Sequence, residues 1–205
     1  MGLLTFFVIF YGNHCYARYF ELFGHCIGIG RTLNVWAYLI KHSFSHWTPG
    51  LRWNIMRPML AGMMIHYSTV ADSEGAGLSE NEWQRMRDSE VLTKAECKSL
   101  SKYKGPMPVL CSTWALAEVK AALLNDQQED DPEQECRETR ASARSGQLTT
   151  WPQIAMYNRF EDVAREFTAH TNSTMETLAQ PVPFPYCECH IDFQAAPLVY
   201  SSLSL

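Results

Sequence analysis

No proline interrupts this chain before Pro49, and that absence constrains the fold more than any other feature. Proline removes a backbone donor and clashes with the preceding turn, so a long stretch without it is free to run as helix. Over residues 6–46 apolar side chains recur in steps of three, four or five: Phe6, Phe10, Cys15, Tyr19, Leu22, Cys26, Ile29, Leu33 and Trp36. The spacing predicts one long helix, or two helices meeting near Gly28 and Gly30. "WTPG", residues 47–50, then stops it.

Helical signals continue along the chain. Residues 51–70 carry Trp53, Met56, Met59, Leu60, Met63 and Met64 as an apolar face, with Pro58 inside it expected to kink or break the helix. Ser79 precedes Glu82, and Thr93 precedes Glu96, at the spacing of a capping box. These predict two short helices, near 80–90 and 94–103. Residues 109–125 form a good helix-former. The stretch 126–140 carries seven acidic residues and almost nothing apolar, so 126–147 is expected to be an acidic disordered loop. From 148 the helical pattern resumes, with Ile154, Tyr157, Phe160, Val163, Ala164, Phe167 and Thr171 on one side, and ends before Pro181. The fold class is mainly α, without an evident internal repeat.

A net charge of −5 gives no reason to expect a nucleic-acid partner, since phosphate binding wants a basic surface. The seven cysteines are odd in number and scattered, which favours reduced thiols over a disulfide framework. The N-terminal "MGLLTFFVIFY" is apolar for about ten residues, half of the roughly twenty that a membrane-spanning helix needs. It fits a buried core helix, an unusual signal sequence, or the last half of a membrane helix.

Catalytic chemistry finds little to rest on. Cys187, Cys189 and His190 offer three soft ligands, but structural zinc sites pair wider spacings with a second ligand pair, and none is evident. No metal or cofactor is therefore assigned. "GHCIGIG" follows no strand, so close helix packing explains its glycines better than a dinucleotide fingerprint. "NST" at Asn172–Thr174 falls inside a predicted helix and reads as chance. The histidines are dispersed, and no enzymatic constellation emerges.

Taken in order, three segments resemble the bestrophin family of anion channels. "FFVIFYGNHCYARYFELFG" resembles its pore helix running into a signature of type aromatic-x-Arg-aromatic-aromatic, here Tyr16, Arg18, Tyr19 and Phe20. "VLTKAECKSLSKYKGPMPVLCSTWALAEVKAALLN" resembles its cytosolic Leu-Thr-x-x-Glu helix and the tryptophan-bearing helix after it. "PVPFPY" resembles its proline-bearing return to the membrane. The resemblance covers most of residues 2–190.

That resemblance implies a helical bundle in which 1–12 is a partial pore helix. Residues 13–125 and 148–180 are then cytosolic helices, 181–186 the proline-rich return, and 187–205 a tail outside the resemblance. Pore-neck positions fall on Gly2, Phe6 and Phe10, and the cytosolic aperture on Val182 before Pro183. Gly2 stands where the family carries a branched aliphatic. The implied function is passage of chloride- or bicarbonate-type anions through a homopentamer in membrane lipid, with most of the chain on the cytosolic or stromal side. Plasma membrane and thylakoid both stay open. The chain is expected to be truncated at both ends relative to the family, and the alternative is a non-conducting helical fragment that assembles with full-length subunits.

Overall fold

The computed structural model describes residues 2–71, 77–125 and 150–180, and within helices the side chains of residues 2–4 and 125 lie outside the description. All regular structure among the described residues is helical: α1 Gly2–Ser43, α2 Pro49–Ala71, α3 Glu80–Asp88, α4 Lys94–Lys102, α5 Met107–Asn125 and α6 Trp151–Ala179. The mainly α reading therefore holds.

The long-helix alternative describes α1. It runs unbroken for 42 residues, about 63 Å at 1.5 Å per residue. Gly28 and Gly30 do not divide it. Gly28 lies where α1 and α6 approach, and a Cβ there would run into the His170 ring, whereas Gly30 faces open space. Close packing thus accounts for one of the two glycines. Nor does Pro58 break α2, which continues through it as one element with Pro58 buried. Packing on several sides outweighs the lost backbone hydrogen bond.

Both short helices start as their spacing predicts. The Ser79 hydroxyl accepts from the Glu82 N–H while the Glu82 carboxylate accepts from the Ser79 N–H, and Thr93 and Glu96 repeat the arrangement. Glu96 does more than cap. Arg57 on α2 donates to both of its carboxylate oxygens, at 2.7 and 2.8 Å, and also to the Val91 carbonyl at 3.3 Å. This fork-to-fork pair is largely shielded from solvent and fastens α4 to α2. Burial works to raise the Glu96 carboxyl, but the Arg57 guanidinium and the Thr93 donors outweigh it and hold it below the usual range.

Two cores result. In the larger, Trp36 and Ile40 of α1 and Phe44 just past its end pack with Ile55 and Met59 of α2, Val119 of α5, and Phe160 and Phe167 of α6. Phe160 sits edge-on to Trp36 at 4.9 Å and stacks on Phe44 at 6.0 Å. The smaller joins Ile65 of α2 to Trp83 and Met86 of α3, Leu100 of α4 and Cys111 of α5. The expected α6 face is buried at Phe160, Val163, Ala164, Phe167 and Thr171, while Ile154 is exposed. On α2 the methionine stripe is only part of the contact surface. Ile55, Ala61, Ile65 and His66 are buried beside Met59, and Trp53 is exposed.

Candidate ion-path elements

The N-terminal part of α1 differs from the rest of the molecule. No Asp, Glu, Lys or Arg precedes Arg18. Between Phe6 and Ile27 most of the large apolar side chains lie bare, with Phe6 63%, Phe10 55% and Phe20 64% exposed, while Tyr11 and Leu22 are half-buried. A helix that is apolar around its circumference is at home in a protein interior or a bilayer rather than in water. Phe6 and Phe10 share one face, their rings stacked with centroids 6.3 Å apart. Tyr19 and Phe23 repeat that contact one step further on, at 6.2 Å. Gly2 is the first residue of α1.

Among the signature residues, Tyr16, Tyr19 and Phe20 are exposed, and Arg18 makes the contact that organises this end. Its Nη2 donates to the Leu178 carbonyl and its Nη1 to the Gln180 carbonyl, both at 2.9 Å. The last carbonyls of a helix have no partner within it and carry the negative end of its dipole. Arg18 supplies both donors and opposite charge, and so ties α1 to the point where the chain leaves α6 toward Pro181. The aperture residues Val182 and Pro183, the proline-rich return, the acidic 126–147 segment, and Cys187, Cys189 and His190 lie outside the described residues.

Further contacts set α1 against its neighbours. Moving along α1 from Arg18 to His25 to Trp36, its partners move back along α6 from Leu178 to His170 to Phe160; the two helices are antiparallel. The His25 and His170 Nδ1 atoms are 3.4 Å apart. Tyr67 on α2 donates its hydroxyl to the Cys26 carbonyl at 3.0 Å. The described cysteines Cys15, Cys26, Cys97 and Cys111 are free.

A cavity of about 300 Å³ between α1 and α2 is lined by Ala37, Ile40, Lys41, Arg52, Trp53 and Met56. Another, of about 160 Å³, is bordered by His66, Thr69, Pro106, Met107, Asn172 and Met175. His66 is buried, its Nε2 makes no hydrogen bond to the protein, and burial lowers its pKa to about 4. Asn172 of the "NST" triplet lies within α6.

Neither the partners of Arg18 nor the pairing of His25 with His170 was legible in the sequence, since each joins residues well over a hundred positions apart. Arg18 did carry one local signal, as the first charge after a long uncharged helix.

One described helical window, Met107–Leu124 in α5, is long and apolar enough to cross a membrane by length and composition. Its exposed positions are Thr113, Ala117, Glu118 and Ala121, small or polar, and its apolar side chains pack into both cores. The bare apolar surface therefore belongs to α1, although α5 is the more apolar segment by composition. No family model matches the chain, and no similar curated protein or solved structure is found.

Proposed function

We propose that this chain is a bestrophin-like anion-channel subunit whose N-terminal helix contributes to an apolar pore neck. The observation that carries this reading is the bare, uncharged part of α1 with Phe6 and Phe10 stacked on one face. Arg18 joins that helix to the segment leading toward Val182 and Pro183. In this reading several copies surround one path, each contributing Phe6 and Phe10 to a neck, with Gly2 beyond them, and Val182 to an aperture.

The chemistry is that of hydrophobic gating. A narrow apolar ring excludes water, and an ion crosses when the ring dilates or when the ring's edges replace part of its hydration. Phenyl edges carry partial positive charge, so rings turned edge-on favour chloride- or bicarbonate-type anions over cations. Lipid covers the remaining bare surface of α1. The reading assigns no catalytic step and no cofactor.

Electrical recording from bilayers containing the purified chain tests it. Anion-selective current is expected, and Phe6→Ala with Phe10→Ala should increase the open fraction. Silent bilayers, or currents indifferent to both substitutions, overturn it.

A second reading is favoured by the two cores, which α1 to α6 enclose without help from any other chain. On that reading the chain is a helical protein that does not conduct and whose bare α1 segment assembles with conducting subunits. Silent bilayers combined with co-purification of such a subunit would select it.

A further inference from the structure

His25 projects from α1 and His170 from α6, and their Nδ1 atoms face each other at 3.4 Å. The rings are tilted by 54° with centroids 5.7 Å apart, so they converge rather than stack. A hydrogen bond between them would be longer than the usual range of about 2.7–3.2 Å. At that separation one ring can donate only a long hydrogen bond to the other, whereas two unprotonated nitrogens can share a positive ion between them. Zinc sits about 2.0–2.1 Å from an imidazole nitrogen, and two such nitrogens in a tetrahedral shell are then about 3.3–3.4 Å apart. The observed separation is that of two ligands on one ion.

The surroundings fit. Gly28, one turn after His25, leaves the space that the His170 ring fills, since any Cβ there would collide with it. Glu166, one turn before His170, places Oε1 3.8 Å from His170 Nε2. That carboxylate places negative charge on the edge of the ring away from Nδ1, which favours a cation held nearby. The His170 and Glu166 side chains are 27% and 56% exposed, so an ion can enter and water can complete its shell. No group of three or more His, Cys, Asp or Glu among the described residues converges on one point, so the protein supplies two ligands.

We infer that His25 and His170 form a two-histidine site for a divalent transition cation of the zinc and copper class, which staples α1 to α6. Imidazole nitrogen suits these ions, whereas magnesium and calcium prefer oxygen. The site lies between the Arg18 junction and the main core, and it stands whether or not the chain conducts.

The test is a titration of the full chain, in detergent micelles, with Co²⁺ followed by displacement with Zn²⁺. Cys187, Cys189 and His190 are a competing site, and the spectrum separates the two. Thiolate ligation gives a strong near-ultraviolet sulfur-to-cobalt band that imidazole ligation lacks. The expected result is one equivalent of cobalt without that band. His25→Ala and His170→Ala should each weaken binding by at least the roughly 10–100-fold seen when an outer-shell partner is lost. Gly28→Ala should weaken it as well, by displacing the His170 ring, while alanine's better helix propensity keeps α1 intact. Cobalt binding only through thiolate, no binding at all, or binding indifferent to all three substitutions overturns the site.

Discussion

The two halves of α1 share one unbroken backbone and have opposite surroundings. From Phe6 to Ile27 the large apolar side chains are mostly bare, and the aromatic rings touch one another: Phe6 on Phe10, Tyr19 on Phe23. From Ile29 to Ile40 the core-facing side chains disappear against α2, α5 and α6, and Trp36, with Phe44 just past the helix end, closes on Phe160. The second half is held by the chain's own core. The first half meets α6 and α2 only toward its end, at Arg18, His25 and Cys26, and leaves most of its large apolar side chains exposed. Periodicity announces an apolar face but not what covers it. The contrast with α5 makes the same point, since that apolar helix turns its large side chains into both cores and leaves small or polar positions exposed.

The largest effect should come from the packed half. Phe160→Ala removes the ring that both Trp36 and Phe44 contact, and should cost about 3–5 kcal/mol in denaturant unfolding. A loss below about 1 kcal/mol would mean that the two halves differ less than their burial implies. Next is a pH window set by His66. Its folded pKa of about 4 lies below the unfolded value of about 6.5, so between them the unfolded chain binds more protons. Stability is then full above the upper value and falls as pH drops toward the lower one, by on the order of 2–3 kcal/mol. His66→Gln should flatten that window in unfolding curves collected across it.

Glu96→Gln should cost about 1.5–3 kcal/mol by weakening the hydrogen bonds from Arg57. Because the folded Glu96 pKa is held down, its contribution is present above the ordinary carboxylate range and is lost as pH falls through the folded value. A Glu96→Gln chain whose acid unfolding matches the wild type would contradict this. The smallest stability effect belongs to the bare half. Phe6→Ala with Phe10→Ala should change unfolding free energy by no more than about 0.5 kcal/mol, because neither ring packs against the core. A larger loss would show that this segment is part of the folded body after all.

What was legible in the sequence was local. Both capping boxes join residues three apart, and α1 and α6 announced themselves through proline-free periodicity. The α6 face was readable because that helix is buried along one side. On α2, which packs toward two cores, no single stripe stands out, and the conspicuous methionines drew attention from Ile55, Ile65 and His66. The candidate neck residues Phe6 and Phe10 were legible as apolar positions on one helical face. Their exposure was not, because it depends on α6 running antiparallel to α1 and ending beside Arg18. The acceptors of Arg18 and the second role of Glu96 depend on the same long-range pairing, which no local spacing encodes.

The central claim is that the bare half of α1 is made for an apolar or pore environment and the packed half for water and core. Val8 and Tyr38 stand on the two halves with nearly equal exposure, 64% and 61%, and so make a matched pair. A nitroxide spin label placed at each, in turn, on the chain reconstituted in liposomes can be probed with oxygen, which partitions into lipid, and with a water-soluble nickel chelate. The label at residue 8 should relax mainly with oxygen and that at residue 38 mainly with nickel. Equal nickel accessibility at both positions would place the two halves in the same aqueous surroundings and contradict the claim.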